Sequence, residues 1–572
     1  MKQAWHIFAL FVCVFALSGC SGPGSVRDGG GAGKAFRAVV AADHELASRA
    51  GARVLREGGN AVDAAVATSL ALSVVRPYSC GVGGGGFMII AFNGDKTHGD
   101  LVTAIDYRET APDAVGGRYY ADSERSSIRG GTAVAVPGSV AGLMYVHERY
   151  GRLPRAKVVA PAIELAERGF AADAHYADEA QSLIEQFDAN PDWKERFSLV
   201  WERFLLAGTV VEGDLIRVPE QAEVLRAIAR DGRDGFYAGD VARAIVHAVR
   251  KDGGDLTLED LRRYRPIERE PARATIAGRT FIGMPPPSSG GVTMFEALEI
   301  MEQAGYDFDT PPDDGLAVHL LAEGFKHAFA DRSRWFGDPG FVDVPVETLL
   351  SNKYAVEQAF KIDREHTQPP ESYGSSPPLP EDSGTSHFSI VDTDGNAVAC
   401  TETINLGFGS LLGVNRYGFV LNDEMDDFLT RPGVPNAFGL VQSERNLPAP
   451  GKRPLSSMSP TMVFDDDGLL VTAGASGGPR IISATAQTIL RVLAGASATD
   501  AVAAGRVHHQ WLPNRLDVEP GALSPEVLAD LKQRGHVLGE RAVIGNVQVI
   551  RRVPGGWDAA CDPRKGGRPA GY

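Results

Sequence analysis

The chain has 572 residues, with 57 Lys and Arg against 73 Asp and Glu, for a formal net charge of −16. An acidic chain without a basic tract is a poor partner for nucleic acid, and five cysteines without paired spacing give neither a disulfide framework nor a zinc site. The length exceeds the usual single-domain size, though one large layered core can absorb much of it.

Residues 1–19 read as a targeting segment. Lys2 gives the positive start, Ile7 to Leu17 is apolar, and Leu17-Ser18-Gly19-Cys20 has the form of a lipoprotein signal-peptidase box. The apolar run is shorter than the ~20 residues that span a bilayer. The expectation is therefore a lipid anchor on Cys20 of an otherwise soluble, periplasmic protein, with Ser21 favouring the outer membrane; a plain secretory signal is the alternative. Residues 20–40, rich in Ser and Gly at their start, are expected to be a tether. Cys80, Cys400 and Cys561 are expected to be small core residues whose bridging the sequence does not decide.

Apolar residues at helical spacing predict helices over residues 45–57 and 61–74, separated by Gly58-Gly59. The glycines of Gly81 to Gly86 precede a strand at 87–92 rather than open a helix, so close backbone packing is expected there, not phosphate binding. A strand at 101–107 ends in Arg108-Glu109. A guanidinium at a strand end can grip a carboxylate through two bonds; the residues alone favour a surface salt bridge with Glu109. A short strand is expected at 133–136, then helices at 139–150, 157–168, 177–186, 221–231, 239–251 and 258–264, a strand pair within 273–282, and helices at 293–303 and 316–330. The last carries His319, Glu323 and His327 on one face. The HExxH order is absent, so a solvated or core-edge face is expected there rather than a metal.

Segment 365–384 holds Pro369, Pro370, Pro377, Pro378 and Pro380 among Ser, Gly and acids, the composition of a flexible linker. It runs into Gly384-Thr385 and a hairpin. Asp392 to Gly395 suits a type I turn with Gly at positive φ, and that three-residue loop pairs Asp392 with Asn396 and sets Thr385 opposite Thr403. Thr385 at a strand's first position after such a linker suggests self-cleavage: attack on the Gly384 carbonyl would free an α-amine able to act as base for the same hydroxyl. An ordinary loop entering a hairpin is the plain alternative. Further on, a strand at 469–473 leads through Gly474-Ala475-Ser476-Gly477-Gly478 into a helix reaching Leu493. This fits a serine-hydrolase elbow on Ser476, with His508, His509 or His536 as partner and Asp500 as acid. It fits equally an oxyanion site made by the Gly477 and Gly478 amides.

Thr385-Ser386-His387-Phe388, Thr401-Glu402-Thr403-Ile404-Asn405, Leu421 to Phe428, Lys452 to Thr461 and Gly477 to Ile481 stand together in an order that resembles the γ-glutamyltransferases (γ-glutamyltranspeptidases, glutathione hydrolases). The resemblance extends from about Ala41 to the C-terminus. It implies an α+β N-terminal-nucleophile hydrolase fold, an αββα four-layer sandwich, cut at Gly384–Thr385 into a large subunit (41–384) and a small catalytic subunit (385–572). It also implies Thr385 as nucleophile, Thr403 holding its hydroxyl, and Gly477 and Gly478 on the oxyanion. Arg108, Ser456 and Ser457 would take a substrate α-carboxylate, and Asn405, Glu424 and Asp427 its α-ammonium. No cofactor and no metal are implied. The donors are glutathione and other γ-glutamyl compounds, the acceptors water, amino acids or dipeptides. Ser386 replaces a Thr often seen in the family, Glu424 stands where some bacterial members carry Gln, and Phe438 falls where members with a covering loop often have Tyr. A cephalosporin (glutaryl) acylase and an inactive lipid-anchored binding protein are the alternatives on the same fold.

Overall fold

The computed structural model describes residues 35–121, 125–374, 384–431, 436–437 and 443–572. The signal segment, Cys20 and the Phe438 lid position lie outside the described residues.

Two antiparallel sheets lie face to face. The first has seven strands in the spatial order Ala570–Gly571, Val39–Ala42, Thr385–Val391, Ala397–Thr403, Gly85–Ala91, Val102–Tyr107, Ile267–Arg269. The second has six: Gly556–Cys561, Asn546–Val553, Gly468–Ser476, Thr461–Asp465, Arg279–Gly283, Ala272–Ile276. Successive strand side chains point to opposite faces, and that alternation builds the layers. Val39, Ala41, Ile89 and Ala399 meet Ile282, Met462 and Ile550 between the sheets. Val40, Met88, Ile90 and Phe388 point the other way, under helices Glu45–Arg56 and Ala61–Val75. Beyond the second sheet, Phe281, Val463, Val471 and Val549 pack with helices Gly290–Gln303, Gly315–Trp335 and Arg480–Leu493. Helix, sheet, sheet, helix is the expected αββα sandwich. No helix among the described residues is long and apolar enough to cross a membrane.

The central hairpin has the expected register. Asp392 N–H donates to the Asn396 carbonyl at 3.0 Å, Gly395 takes φ 85°, and Thr385 lies opposite Thr403. The Asp392 carboxylate also accepts from Asn396 N–H and from Ala61 N–H, each at 3.0 Å, so the hairpin tip is fixed to the start of a wholly buried helix.

Four expectations are corrected. The tether stops before residue 40: Phe36 bridges to Trp557, and Val39–Ala42 is a fully buried interior strand, because its unbroken apolar run completes the first sheet. The segment 365–384 is docked over residues 365–374. Prolines donate no N–H, but Thr367 N–H reaches Arg534 O at 2.8 Å and Trp511 Nε1 donates to Pro370 O at 2.9 Å. Residues 133–136 form no strand, only a 3₁₀ turn at Gly131–Ala133 and a single bridge from Thr110 to Val136. The face bearing His319, Glu323 and His327 is buried rather than solvated. There Glu323 takes Lys326 Nζ at 2.8 Å and the Thr367 hydroxyl at 2.6 Å, while His319 Nδ1 stands 2.8 Å from His536 Nε2. Ligand atoms of His319, Glu323 and His536 lie within 4.8 Å of one another. The Lys326 ammonium already neutralises Glu323, so the group packs as a hydrogen-bonded core cluster. Cys80, Cys400 and Cys561 are free thiols.

Candidate active site

Thr385 opens an interior strand, and the chain runs into it unbroken from Gly384. Its hydroxyl donates to the Gly384 carbonyl oxygen at 2.7 Å and stands 3.4 Å from Thr403 Oγ1. The Thr403 hydroxyl donates to the same carbonyl oxygen at 2.8 Å while accepting Asn405 N–H at 2.8 Å. One carbonyl oxygen therefore receives two hydroxyl protons. Glycines make this approach possible: a Cβ on Gly384 would lie 2.3 Å from Asn405 O, and one on Gly84 would lie 2.1 Å from Thr403 O. That is the close packing expected of the Gly81 to Gly86 run.

Behind Thr385, its own carbonyl accepts from Lys565 Nζ at 2.6 Å, and Lys565 pairs with Asp43 at 2.7 Å. Both charges are buried. Burial pushes the Asp43 carboxyl up, and Lys565 and Arg76 together outweigh it, holding it below the usual carboxylate value. Sequence reading missed this pair, since a lone Asp and a Lys at opposite ends of the chain form no pattern.

The strand Gly468–Ser476 passes into helix Arg480–Leu493 through Gly477 (φ 124°) and Gly478 (φ 57°). Among the described residues neither glycine N–H has an acceptor, and Gly478 lines the same cavity as Thr385. Among the described residues Ser476 hydrogen-bonds to no histidine. Its hydroxyl lies 3.5 Å from Lys565 Nζ, whereas His508 is held by Ser483 Oγ at 2.8 Å, His509 Nδ1 accepts Trp511 N–H, and His536 faces His319. Asp500 sits at a helix start with Ser497. The elbow geometry is present without its triad, so the serine-hydrolase reading falls.

Arg108 is buried, not on the surface. Nη1 lies 2.7 Å from Glu424 Oε2 and 3.6 Å from Glu109, and Nη2 donates to Asp427. Three buried carboxylates thus surround one guanidinium. Burial pushes the Glu109 carboxyl up to about 8, and moves Glu424 and Asp427 upward as well, each drawn back by Arg108. The Glu424 contact is not aligned as a hydrogen bond, and both Glu424 oxygens and Asn405 Oδ1 lack a donor. Ser456 Oγ accepts Met458 N–H at 3.2 Å, and Ser457 Oγ accepts from Arg332 Nη2 at 3.2 Å. Arg108, Asp427, Ser456 and Ser457 line, with Thr385, Thr403 and Asn405, a cavity of about 20 Å³, room for roughly one water; Glu109 and Glu424 stand behind Arg108 and do not line it. Arg332 belongs to that wall and escaped the sequence reading, which ended its helix at residue 330, whereas the helix runs on to Trp335. Beyond Gly477 opens a cleft of about 940 Å³, bordered by Arg129, His175, Phe408 and Arg480.

Two facing sheets between helices, with a hydroxyl residue at the first position of an interior strand, define an N-terminal-nucleophile hydrolase. The cephalosporin acylase from Bacillus halodurans superposes with a TM-score of 0.82 at 27% identity, over 96% of this chain and 99% of that one. The γ-glutamyltranspeptidase family model matches residues 47–572, and the chain belongs to that family. The glutathione hydrolase proenzyme of Escherichia coli K12 is 38% identical over 542 residues, covering 93% of this chain and 91% of the relative. That of Pseudomonas aeruginosa is 38% identical over 537 residues, 92% and 93% of the two chains. The γ-glutamyltranspeptidase structure from Helicobacter pylori matches 58% of this chain and 93% of its own, at 35% identity and a TM-score of 0.52.

Proposed function

We propose that the protein cuts itself between Gly384 and Thr385, and then uses Thr385 to move γ-glutamyl groups from glutathione and related compounds to water, an amino acid or a dipeptide. The observation that carries this reading is the Gly384 carbonyl oxygen held by both the Thr385 and the Thr403 hydroxyls. In the first stage Thr385 Oγ bonds to the Gly384 carbonyl carbon, and the C–N bond breaks with the hydroxyl proton passing to the departing amine. Water then hydrolyses the ester, leaving a carboxylate on Gly384 and a free α-amine on Thr385. The proenzyme names of the bacterial relatives support this order.

In the second stage the α-amine takes the Thr385 hydroxyl proton as Oγ attacks the donor's γ-carbonyl. The Gly477 and Gly478 amides hold the oxyanion. The expelled amine leaves with the proton, and water or an acceptor amine cleaves the γ-glutamyl ester in turn. The adjoining cleft beyond Gly477 is the place for leaving group and acceptor. Charge selects the donor. Arg108 faces Glu109, Glu424 and Asp427, so the site gathers three carboxyl groups around one guanidinium. A γ-glutamyl zwitterion exchanges one mixed ion pair for two: its carboxylate onto Arg108, Ser456 and Ser457, its ammonium onto Asn405, Glu424 and Asp427. A glutaryl group has no ammonium to meet the carboxyls of Glu424 and Asp427, which disfavours the acylase alternative.

The self-cleavage has a direct test. Thr385→Ala should give one full-length band on a denaturing gel and no turnover of γ-glutamyl-p-nitroanilide; two bands from that variant would overturn the reading. Adding glycylglycine to the wild type separates transfer, which it accelerates, from hydrolysis, which ignores it.

A further inference from the structure

Arg332, in the last turn of helix Gly315–Trp335, is a buried cation on the cavity wall. Arg108, which lines the same cavity, has three carboxyl groups around it. Arg332 has no carboxylate within ion-pair distance among the described residues, and its hydrogen bonds go to neutral hydroxyls. Nε donates to Ser289 Oγ at 2.8 Å and Nη2 to Ser457 Oγ at 3.2 Å. A charge taken out of water without a direct ion pair is costly: burial brings this guanidinium down to about 10, with the Asp427 charge, beyond ion-pair distance, drawing it only partly back.

Its two contacts converge on the serine pair. Ser457 Oγ receives a proton from Arg332, so its own hydroxyl proton is left to donate to an anion in the cavity. Ser289 Oγ, likewise accepting from Arg332, donates to the Ser456 carbonyl at 2.7 Å, and Ser289 N–H reaches the same oxygen at 2.8 Å. One guanidinium thereby aims the Ser457 hydroxyl and fixes the Ser456 backbone.

We infer that Arg332 is a positioning residue for the donor's α-carboxylate, acting through Ser457 and Ser289 and leaving its positive charge for the anion they hold. The inference rests on the γ-glutamyl reading above. Arg332→Gln keeps an amide donor for the hydroxyls and removes the charge. With γ-glutamyl-p-nitroanilide this variant should raise KM at least about tenfold, the scale of a charge-assisted hydrogen bond, while kcat falls much less. It should still separate into two fragments, because self-cleavage involves no substrate carboxylate. Arg332→Lys, which restores the charge, should recover part of the KM. If Arg332→Gln fails to fold, the lysine variant decides alone: a raised KM with near-normal kcat supports the assignment, and an equal fall in kcat and self-cleavage marks a merely structural role and overturns it. An unchanged KM in either folded variant overturns it too. A wild type that turns over no γ-glutamyl donor would instead sink the proposed function, so the two failures are told apart.

Discussion

Thr403→Val puts the geometry of self-cleavage to its sharpest test. Valine preserves shape and β-branching in the middle of a sheet, so the strand should form. What is lost is one of two donors to the oxygen that turns anionic when Thr385 attacks, the 2.8 Å bond from Thr403 Oγ1 to Gly384 O. Removing one such donor from an acyl-transfer site slows reaction by about 10²–10³. The same change strips Asn405 N–H of its acceptor. An unsatisfied buried donor costs about 1–3 kcal/mol, and this one also braces a non-glycine residue at φ 78°. Maturation should therefore slow some hundredfold, with a modest drop in thermal stability. Thr403→Ser keeps the oxygen and should mature within a few-fold of wild type. The assay is a time course of freshly purified protein on a denaturing gel, following conversion to fragment 385–572. A valine variant that matures as fast as the wild type would refute the role given to this hydroxyl.

The other predictions concern the remaining groups. Ser476→Ala should leave turnover within a few-fold, since only the 3.5 Å Lys565 contact is lost; a thousandfold fall would restore a serine nucleophile. Burial shifts the Glu109, Glu424 and Asp427 carboxyls upward, Glu109 to about 8, so Glu109 gains its negative charge as pH rises through about 8. KM for γ-glutamyl-p-nitroanilide should fall over that interval as Glu109, packed against the same guanidinium, ionises, and KM for a glutaryl anilide should rise; parallel trends for the two donors would count against the ammonium assignment. Because the folded-state value of Glu109 is raised, its contribution to stability is present at lower pH and is lost as pH climbs through about 8, which thermal melts across the same range will report. Cys20→Ala should shift the protein from the membrane fraction to the soluble fraction of the periplasm, and a variant still sedimenting with membranes would remove the lipid anchor.

Where local chemistry dictates structure, the sequence was legible. The loop Asp392 to Gly395 has one comfortable conformation, and with a side-chain period of two that loop alone sets Thr385 opposite Thr403. The Pro-rich segment misled because composition measures only the shortage of apolar side chains. Residues 365–374 are held instead by carbonyl oxygens and by Thr367 and Tyr373 on Glu323, partners supplied from elsewhere in the fold. Distance in sequence also hid the charged groups around Thr385. Asp43 and Lys565 meet across almost the whole chain, and Arg332 reaches Ser457 from a helix whose apolar pattern says only that it is buried.

Family likeness divided the substrate-binding residues into a cationic end, Arg108, and an anionic end, Glu424 with Asp427. In the uncut chain those ends close on each other. Neither arrangement contradicts the other once the ligand is a zwitterion. Buried ions of opposite sign and without a ligand lower their energy by pairing, and a molecule bearing both signs can part them without leaving either charge alone. On the proposed reading, the cavity of about 20 Å³ widens when such a ligand exchanges for those pairs. Specificity for a donor carrying both an ammonium and a carboxylate follows from that exchange, because a ligand with one charge alone strands the partner of the other.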